Sequence, residues 1–487
     1  MKALPSLSFQ ASPGRQPSFK VTMSTVPPNS HLIEAKVQSQ KVWRAGTLTY
    51  TTAGLVIVFG WLLWGDFAWA MKERTVGPVF QLMLHKFSAS DTLTALLMGS
   101  LPSTISIILT PIVAYHSDRF RSRWGRRIPF LFLSMPFAVL AMAGVAFSPV
   151  LGGYLDHILG PHSPGPNSAI LICLGFFWTV FEFATFTSYA VFNGLINDVV
   201  PQNLLGRFFA AFRALHLLAG IIFSYWLFAK AETYYVWVFI GMGLLYGVGF
   251  TMMCSKVREG EYPPPPPPQS SRPGLRAFLV AAKGYFQECF RHRYYWWFFG
   301  ASALSGLALS PMNAYSIYFA KSLQMDDQTF GNCLTITYCV SFCLTYPLGA
   351  LVDRFHPLRA CLVVQFLFIL VCTWGGIYAR DSWTFSIALV SGGVVSGMWY
   401  TVAASLGARL LPKANYAQLA SAAGIIGSLC GIILSPSVGL LLDYSNHTYR
   451  YTYLIGAGLA TLAFTANLVL YKKFMALGGP KAYIAPN

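Results

Sequence analysis

Four ionisable residues lie inside long apolar stretches of the sequence: Asp66, Glu182, Arg213 and His216. Burying such groups away from water is costly, so each is a candidate for a functional role. A carboxyl group and an imidazole are also groups that exchange protons near neutral pH when their surroundings favour it. The chemistry that these four residues suggest is the binding of polar groups combined with proton exchange.

Asp66 stands among aromatic residues, in the run from Trp61 to Trp69. Aromatic rings beside a carboxylate are suited to stacking on a sugar ring while the carboxylate grips its hydroxyl groups. Burial away from water favours the neutral form of a carboxyl group, which prepares Asp66 for proton exchange. The alternative is that Asp66 lies near the outer mouth of its apolar segment and pairs with Lys72 or Arg74.

Glu182 begins a polar stripe at helical spacing that continues with Tyr189 and Asn193. Such a stripe lines a cavity more often than it faces lipid. In the next apolar segment Arg213 and His216 share one helical face, because they stand three residues apart. Two interpretations of Arg213 are open: it neutralises Glu182 in a buried pair between the two segments, or it binds a ligand.

The second half of the chain offers neutral candidates. Pro311 interrupts an apolar segment and is followed by Asn313, while Trp399 stands beside Tyr400 in a later segment. A proline frees backbone carbonyl groups and lets a helix bend around a ligand. The same pattern is also that of an ordinary kink.

Composition indicates what kind of protein holds these residues. The chain has 487 residues, of which 55% are hydrophobic and only 10% charged, whereas a soluble domain carries about 25% charged residues. This excludes an ordinary soluble enzyme. Stretches of about 20 apolar residues can cross a bilayer. Here they cover approximately residues 49–70, 93–115, 128–147, 169–192, 208–229 and 234–254 and, after a break, 295–319, 331–351, 358–378, 383–407, 419–441 and 450–471. The sequence predicts an all-α membrane protein with twelve transmembrane helices.

The break between the two sets holds six consecutive prolines, Pro263–Pro268, which favour an extended spacer and cannot continue a helix. Most of the 34 Lys and Arg residues fall on the side of the two termini, which is the cytoplasm by the positive-inside rule. That topology explains the net charge of +17 without a nucleic-acid partner. The predicted parts are a disordered cytoplasmic tail (1–44), an N-terminal six-helix bundle (45–254), a basic Pro-rich cytoplasmic linker (255–293), a C-terminal six-helix bundle (294–473) and a cytoplasmic tail (474–487).

A short motif recurs once in each half, which indicates that the halves are related. Ala114 is followed after three residues by Asp118 and Arg119, and Gly349 is followed in the same way by Asp353 and Arg354. The first copy lies in an arginine-rich loop. An acid that pairs across the helices, with arginines at helix C-termini and lipid phosphates, can latch one conformation of the two bundles. The predicted gating residues are Asp118, Arg119, Gly125, Arg126, Arg127, Gly349, Asp353 and Arg354. The alternative is that the arginines only fix the topology.

With this motif, its repeat and twelve spans, the chain resembles the major facilitator superfamily. The letters RSRWG followed by RRIPF, from Arg121 onward, are similar to its glycoside–pentoside–hexuronide cation symporter branch, which includes melibiose carriers and the related plant sucrose carriers. The resemblance implies two pseudo-symmetric six-helix bundles that rock around a central site. It also implies that Asp66 and Glu182 hold a sugar, that Phe186 takes a stacking position, and that Arg207 binds sugar at the start of span five.

One departure from the resemblance concerns the coupling ion. Where melibiose carriers have two span-two acids that bind sodium, this chain has Ser106 and Thr110, which supply no negative charge for a hard cation. Proton coupling through Asp66, Glu182 or His216 is therefore favoured over sodium. No cofactor and no metal are expected, because the nine cysteines form no zinc or disulfide spacing.

These observations predict a secondary active transporter, a proton-coupled sugar or glycoside symporter working by alternating access, and not an enzyme. The expected partners are a mono- or oligosaccharide and the lipid bilayer, with the protein a monomer in a bacterial inner membrane or a plasma membrane and both termini cytoplasmic. Two alternatives stay open: a proton-coupled efflux carrier for amphipathic compounds, and a non-transporting membrane sensor derived from a carrier.

Overall fold

The computed structural model describes residues 42–262, 287, 289–412 and 416–486. A small antiparallel hairpin of β1 (Trp43–Ala45) and β2 (Leu48–Tyr50) precedes the first helix. The predicted N-terminal tail up to residue 41 and most of the predicted linker lie outside the described residues. Everything else of regular structure in the described ranges is helical.

Twelve long helices form two halves of six. The N-terminal half consists of α1 (Thr52–Lys86), α2 (Asp91–Arg119), α3 (Ile128–Leu159), α4 (Pro166–Val199), α5 (Gln202–Ala231) and α6 (Tyr235–Lys256). The C-terminal half consists of α7 (Arg293–Ser322), α8 (Asp327–Phe355), α9 (Pro357–Tyr378), α10 (Ser382–Leu410), α11 (Tyr416–Tyr444) and α12 (Tyr451–Ala476), followed by the short α13 (Gly479–Ala482).

Eleven of these twelve helices are long and apolar enough to cross a membrane. Among the described helices α7 is the exception, because Tyr, Trp and Ser residues lower its mean hydropathy. The prediction of an all-α membrane protein with twelve helices in two bundles is confirmed.

Helix α1 is much longer than the sequence indicates. It has 35 residues, or about 52 Å at 1.5 Å per residue, whereas the bilayer core is about 30 Å thick. The hydropathy pattern places the end of the first span near residue 70, but the helix continues without interruption past Lys72, Glu73 and Arg74. These three charged residues therefore lie in the middle of a transmembrane helix.

Both ends of the described chain lie at one end of the helices, which we call the terminal face. The Thr47 Oγ1 next to β2 accepts a hydrogen bond from the backbone N–H of Glu261, after α6, at 2.9 Å. At the start of α7 the Tyr295 hydroxyl donates to the carbonyl oxygen of Pro486 at 2.6 Å. The other end of the helices is called the opposite face.

The two halves meet along two helix pairs, α2 with α11 and α5 with α8. Glycines allow the backbones to approach closely at both. A Cβ added at Gly439 would lie 2.7 Å from the Asp91 carbonyl oxygen, and one added at Gly331 would lie 2.5 Å from the carbonyl oxygen of Ser224. In each of these two pairs, the helix that belongs to the N-terminal half also contains a π-helical turn: Leu96–Ser100 in α2 and Phe223–Leu227 in α5.

The halves are joined tightly at the opposite face by a group of residues that we call the opposite-face latch: Asp91, Thr92, Asp443, His447 and Tyr449. The Asp443 carboxylate accepts hydrogen bonds from the backbone N–H groups of Asp91 at 2.9 Å and Thr92 at 3.0 Å, and from the Thr92 hydroxyl at 2.5 Å. A carboxylate of α11 thus caps the first turn of α2. The Asp91 carboxylate, 1% exposed, lies 2.6 Å from His447 Nδ1 and accepts from Tyr449 at 3.1 Å.

Candidate functional site

Three titratable side chains of α1 and α5 contact one another in a row. Asp66 Oδ1 lies 3.2 Å from His216 Nε2, and the other ring nitrogen, Nδ1, lies 3.7 Å from Glu73 Oε2. The Asp66 side chain is 3% exposed, that of His216 25% and that of Glu73 57%. Exposure therefore rises stepwise from a buried carboxylate through an imidazole to a carboxylate in contact with solvent.

This chain of residues places Asp66 with the predicted His216 and not with Lys72 or Arg74, so the alternative pairing of Asp66 is wrong. Glu73 was not anticipated, because the predicted first span ends before it. The spacing contains the signal: residues 66, 69 and 73 are separated by three and four positions, which places them on one helical face. Trp69 on that face donates its indole N–H to Glu73 Oε2 at 3.1 Å.

Of the two open interpretations of Arg213, the structure does not show the pairing with Glu182 among the described residues. Lys72 of α1 is the basic group that enters the same interior, and it is 1% exposed. Lys72 donates to the Thr185 hydroxyl at 3.3 Å and lies 3.6 Å from the centre of the Trp69 ring. Glu182 is also buried, at 8% exposed, so the two groups share a low-dielectric interior in which their opposite charges attract.

Arg213 instead reaches across to the C-terminal half. Its guanidinium donates to the carbonyl oxygen of Gly397 at 3.1 Å and to the Thr401 hydroxyl at 3.0 Å, both on α10. Arg74 of α1 makes the corresponding contact with α8, donating to the Tyr338 hydroxyl at 3.5 Å. Arg74 and Arg213 are therefore bridges between the halves at mid-depth.

Both arginines line a cavity of about 340 Å³ between the halves. A second cavity of about 480 Å³ adjoins it towards α2 and α11 and shares Gln81, Asn313 and Tyr400 with it. The polar lining of the first cavity consists of Arg74, Gln81, Arg213, Asn313, Ser316, Thr337, Tyr338, Ser341, Ser396 and Tyr400. These groups supply hydroxyl, amide and guanidinium contacts around a space large enough for a small solute.

Of the predicted C-terminal candidates, Asn313 lines both cavities. Trp399 does not reach them: it lines a small void inside the C-terminal half, with its indole N–H buried and unpaired. Its neighbour Tyr400, which is 50% exposed, faces the space between the halves. The choice between these two adjacent residues depends on helix rotation, which the sequence pattern does not specify.

The remaining predicted residues of the N-terminal half lie on α4 and α5. Tyr189 packs near Trp69, with ring centres 6.1 Å apart, and its carbonyl oxygen accepts from the Asn193 side chain at 3.0 Å. Phe186 is half-buried on the same helix, α4. Arg207 is exposed in the first turns of α5, nine residues or about 14 Å along the helix from His216.

The arginine-rich loop between α2 and α3 is held by acids of its own half. Arg126 forms a two-pronged contact with Asp198, at 2.6 and 3.0 Å, and Arg127 lies 2.5 Å from Asp118. The Glu259 carboxylate accepts three backbone N–H groups, those of residues 126, 127 and 128, at 2.8 to 2.9 Å. Glu259 therefore caps α3 from the segment that follows α6.

Two further residues complete this loop. Gly125 has φ +104°, and a Cβ there would lie 2.4 Å from Glu259 Cδ, so only glycine fits. The single hydroxyl proton of Tyr262 is shared between the carboxylates of Asp198 and Glu259, whose oxygens lie 3.2 and 2.9 Å away. Burial next to these two carboxylates raises the pKa of the hydroxyl. Sequence reasoning missed Asp198, Glu259 and Tyr262, because nothing in their spacing connects them with the loop.

Among the described residues this loop does not form the expected latch between the bundles. Within that part of the chain the hydrogen bonds and ion pairs of Asp118, Arg126 and Arg127 end in the N-terminal half, and Arg119 stacks on Tyr115 at 3.9 Å. The second motif copy, Gly349 to Arg354, forms the last turns of α8. The Arg354 guanidinium lies near the Phe355 ring at 5.5 Å, and the side chain of Asp353 lies outside the described residues.

One group of three side chains has the composition of a metal site. The ligand atoms of Asp91, Asp443 and His447 lie within 4.8 Å of one another. Their oxygens and the imidazole nitrogen are already used in the hydrogen bonds of the opposite-face latch. This arrangement accounts for the three residues as a joint between the halves.

The comparison with protein families identifies the group to which this architecture belongs. A model described as MFS/sugar transport protein matches residues 63–416, which include α2 to α10 and all but the first turns of α1. The chain belongs to the MFS/sugar transport protein family. The resemblance to the major facilitator superfamily is thereby confirmed, and the chain is an integral multi-pass membrane protein with the fold of a transporter.

Solved structures with the same fold are distant in sequence. The nucleoside transporter NupG matches with a TM-score of 0.60 at 12% identity, over 86% of this chain and 100% of its own. A bacterial homologue of the human lysosomal transporter Spinster, in an inward-facing and unoccupied conformation, matches with 0.59 at 14% identity, over 89% and 99%. A bacterial homologue of the iron transporter ferroportin matches with 0.55 at 15% identity, over 85% and 99%. At such identities these matches show the fold alone.

Proposed function

We propose that this member of the family is a proton-coupled symporter of a sugar or glycoside that works by alternating access. The observation that supports coupling is the contact of Asp66 with His216, whose other ring nitrogen faces Glu73. A buried carboxylate connected through an imidazole to a solvent-exposed carboxylate provides a path for a proton. The sugar class is supported by the family description and by the hydroxyl and amide lining of the cavity.

The proton path has a direct consequence for substrate binding. Asp66 Oδ2 is buried and has no hydrogen-bond partner among the described residues, so a proton on this carboxyl group removes the cost of an unpaired buried charge. His216 lies on the same helix as Arg213, one turn away, and Arg213 lines the cavity. A change of charge at the Asp66–His216 pair therefore changes the electrostatic potential of the substrate cavity.

The conformation fits one end state of alternating access. Hydrogen bonds between the halves cluster at mid-depth, as at Arg74 and Arg213, and at the opposite face, as at Asp443. With the termini in the cytoplasm, as the distribution of Lys and Arg predicts, this is an inward-facing state. We infer that the protein is a monomer in a bacterial inner membrane or a plasma membrane. The outward-facing state would require the opposite-face latch to open.

Proteoliposomes that contain the purified protein and a trapped pH-sensitive dye test the proposal. Addition of sugars one at a time from a panel of mono- and disaccharides should produce a proton flux with the wild-type protein. Asp66→Asn and His216→Gln should abolish that flux, because each removes one titratable group of the path. Exchange of labelled sugar across the membrane should persist in at least one of them, since exchange needs no net proton movement.

A matched control is Asp156→Asn, which removes a carboxylate of α3 that accepts from Ser163 outside the cavity. This variant should retain the sugar-driven proton flux. A flux of wild-type size in both Asp66→Asn and His216→Gln would contradict proton coupling at this site. Absence of sugar exchange in the wild-type protein across the whole panel would contradict the sugar class.

A further inference from the structure

Two arginines without a carboxylate partner face the space between the halves. Arg74 and Arg213 both line the 340 Å³ cavity, and neither has an Asp or Glu oxygen within 4.0 Å among the described residues. The described lining of that cavity contains no acidic residue. Its only formal charges in the described part of the chain are therefore the two guanidinium groups.

The hydrogen bonds that these arginines make leave donors unused. Each guanidinium has five N–H groups. Arg74 donates to one hydroxyl, and Arg213 donates to one hydroxyl and one carbonyl oxygen. Within the described part of the chain the Nε atoms of both are buried and have no hydrogen-bond partner. Unpaired buried donors of a charged group are costly and are retained where a ligand satisfies them.

The nearest acids are engaged elsewhere. Glu73 precedes Arg74 in the chain, but successive residues of a helix point about 100° apart, and its carboxylate accepts from Trp69 and faces His216. Asp66 is in contact with His216, and Glu182 shares the interior of the N-terminal half with Lys72. These groups moderate the field of the arginines from a distance but do not occupy their free donors.

We propose that Arg74 and Arg213 bind an oxyanion carried by the transported solute, so that the substrate is a negatively charged sugar derivative with a carboxylate or a phosphate group. This inference rests on the proposed function for the sugar part of the solute. Guanidinium groups recognise both oxyanions through paired N–H donors. Tyr338 and Tyr400 lie beside the arginines and offer hydroxyl groups to the same ligand.

The geometry also explains how such a solute would act on the conformation. In the present state Arg74 and Arg213 of the N-terminal half contact α8 and α10 of the C-terminal half. An anion between the halves attracts both arginines and accepts hydrogen bonds from hydroxyl groups of the C-terminal half. The bound solute therefore replaces direct contacts between the halves by contacts through itself, and it neutralises two like charges in one cavity.

Three compounds that share one hexose skeleton test the inference on the purified full-length protein: D-glucose, D-glucuronate and D-glucose 6-phosphate. Binding is measured by tryptophan fluorescence and by the shift of the thermal midpoint Tm at millimolar concentration. At least one of the two anions should bind ten times more tightly than glucose or better. Which of the two binds distinguishes a carboxylate site from a phosphate site.

Substitutions locate the binding to the two arginines. Arg74→Gln and Arg213→Gln should each weaken binding of the anion by about ten- to a hundredfold, and each should weaken binding of the anion much more than binding of glucose. Arg213→Lys keeps the charge but loses the fork, so its loss should be smaller. The matched control is Arg359→Gln, because Arg359 also donates to a tyrosine hydroxyl, that of Tyr471 at 2.9 Å, away from the cavity.

The inference is overturned if glucose binds as tightly as both anions, if neither anion binds, or if both Gln variants retain wild-type affinity for the anion. These outcomes are independent of proton coupling, which is read from the dye-loaded vesicles. Anion binding that depends on the arginines without any proton flux would contradict only the coupling. Proton-driven uptake of neutral sugar, unaffected by the two anions, would contradict only the arginine site.

Discussion

Removal of the Asp443 carboxylate should open the opposite face of the transporter. This carboxylate makes three hydrogen bonds, all to the first turn of α2 in the other half. In a conformation that is open at this face the same three donors would face water, so the bonds stabilise only the closed state. The substitution Asp443→Ala therefore acts on the equilibrium between the two conformations.

The magnitude follows from these contacts. Loss of a helix N-cap costs about 1 kcal/mol, and hydrogen bonds to a charged group contribute about 1.5–3 kcal/mol. Because Asp443 is only half-buried, we expect a total of about 2–4 kcal/mol, which changes the ratio of closed to open molecules by roughly 30- to 700-fold. If 99 closed molecules stood against one open molecule in the wild type, the variant would have a closed-to-open ratio between about 3 to 1 and 1 to 7.

Double electron–electron resonance measures this shift directly. Spin labels at His162 in the N-terminal half and Trp383 in the C-terminal half, both exposed at the opposite face, report the distance between the halves in a background without native cysteines. Asp443→Ala should add a population with a longer distance. The control is Asp326→Ala, because Asp326 caps Thr329 with the same pair of backbone and hydroxyl contacts, at 2.9 and 3.1 Å, within one half. Identical distance distributions for Asp443→Ala and the wild type would refute the reasoning.

Three further predictions concern other parts of the molecule. Gly125→Ala should lower the free energy of unfolding by about 1–3 kcal/mol, because it combines a left-handed φ with a clash against Glu259. Thermal unfolding measures this change. The control Gly153→Ala, at a helical position with open space around it, should not destabilise the protein. Lys321→Ala breaks two ion pairs of 2.6 and 2.9 Å at the opposite face. In the same resonance experiment it should shift the equilibrium by under 1 kcal/mol, which is less than the shift for Asp443→Ala. An equal shift for the two variants would contradict this ranking. Burial and the nearby charges of two arginines lower the pKa of His356 to about 4. The folded protein therefore favours the neutral imidazole. The contribution of His356 to the free energy of unfolding is complete above about pH 6.5 and is lost as the pH falls towards 4. The thermal midpoint should therefore depend less on pH in His356→Asn, which tolerates the φ of +75°, and an unchanged pH dependence would count against this role.

The sequence was sufficient for the fold because bilayer-length apolar stretches are a strong signal. It also singled out Asp66 and His216, which are in contact in the structure, since charged residues in such stretches are rare. It failed at α1, where the charged trio Lys72, Glu73 and Arg74 looked like the end of a span. Hydropathy averages over about 20 residues, so it cannot distinguish charges that lie inside a bundle or face its cavity from charges at the end of a span.

Partners across the bundles were beyond sequence reasoning for a different reason. Pairing of Arg213 with Glu182 was one of two open interpretations, because both lie in neighbouring spans, but Arg213 contacts α10, more than 180 residues away in the chain. Likewise nothing connects Glu259 with the loop that begins at Asp118. Such contacts depend on helix rotation and on the angle between halves, neither of which a single sequence encodes in a readable pattern.

The two π-helical turns have a consequence for how the opposite face can move. Leu96–Ser100 begins five residues after the start of α2, and Phe223–Leu227 ends just before the last residues of α5, so both stand directly beneath the sealed surface. Each holds one residue more than an ordinary helical turn would need. Rewinding that residue into regular α-helix rotates everything on one side by about 100° and advances it by about 1.5 Å. The end of each helix can therefore switch between two discrete registers, and the seal would be released in a step and not by gradual bending.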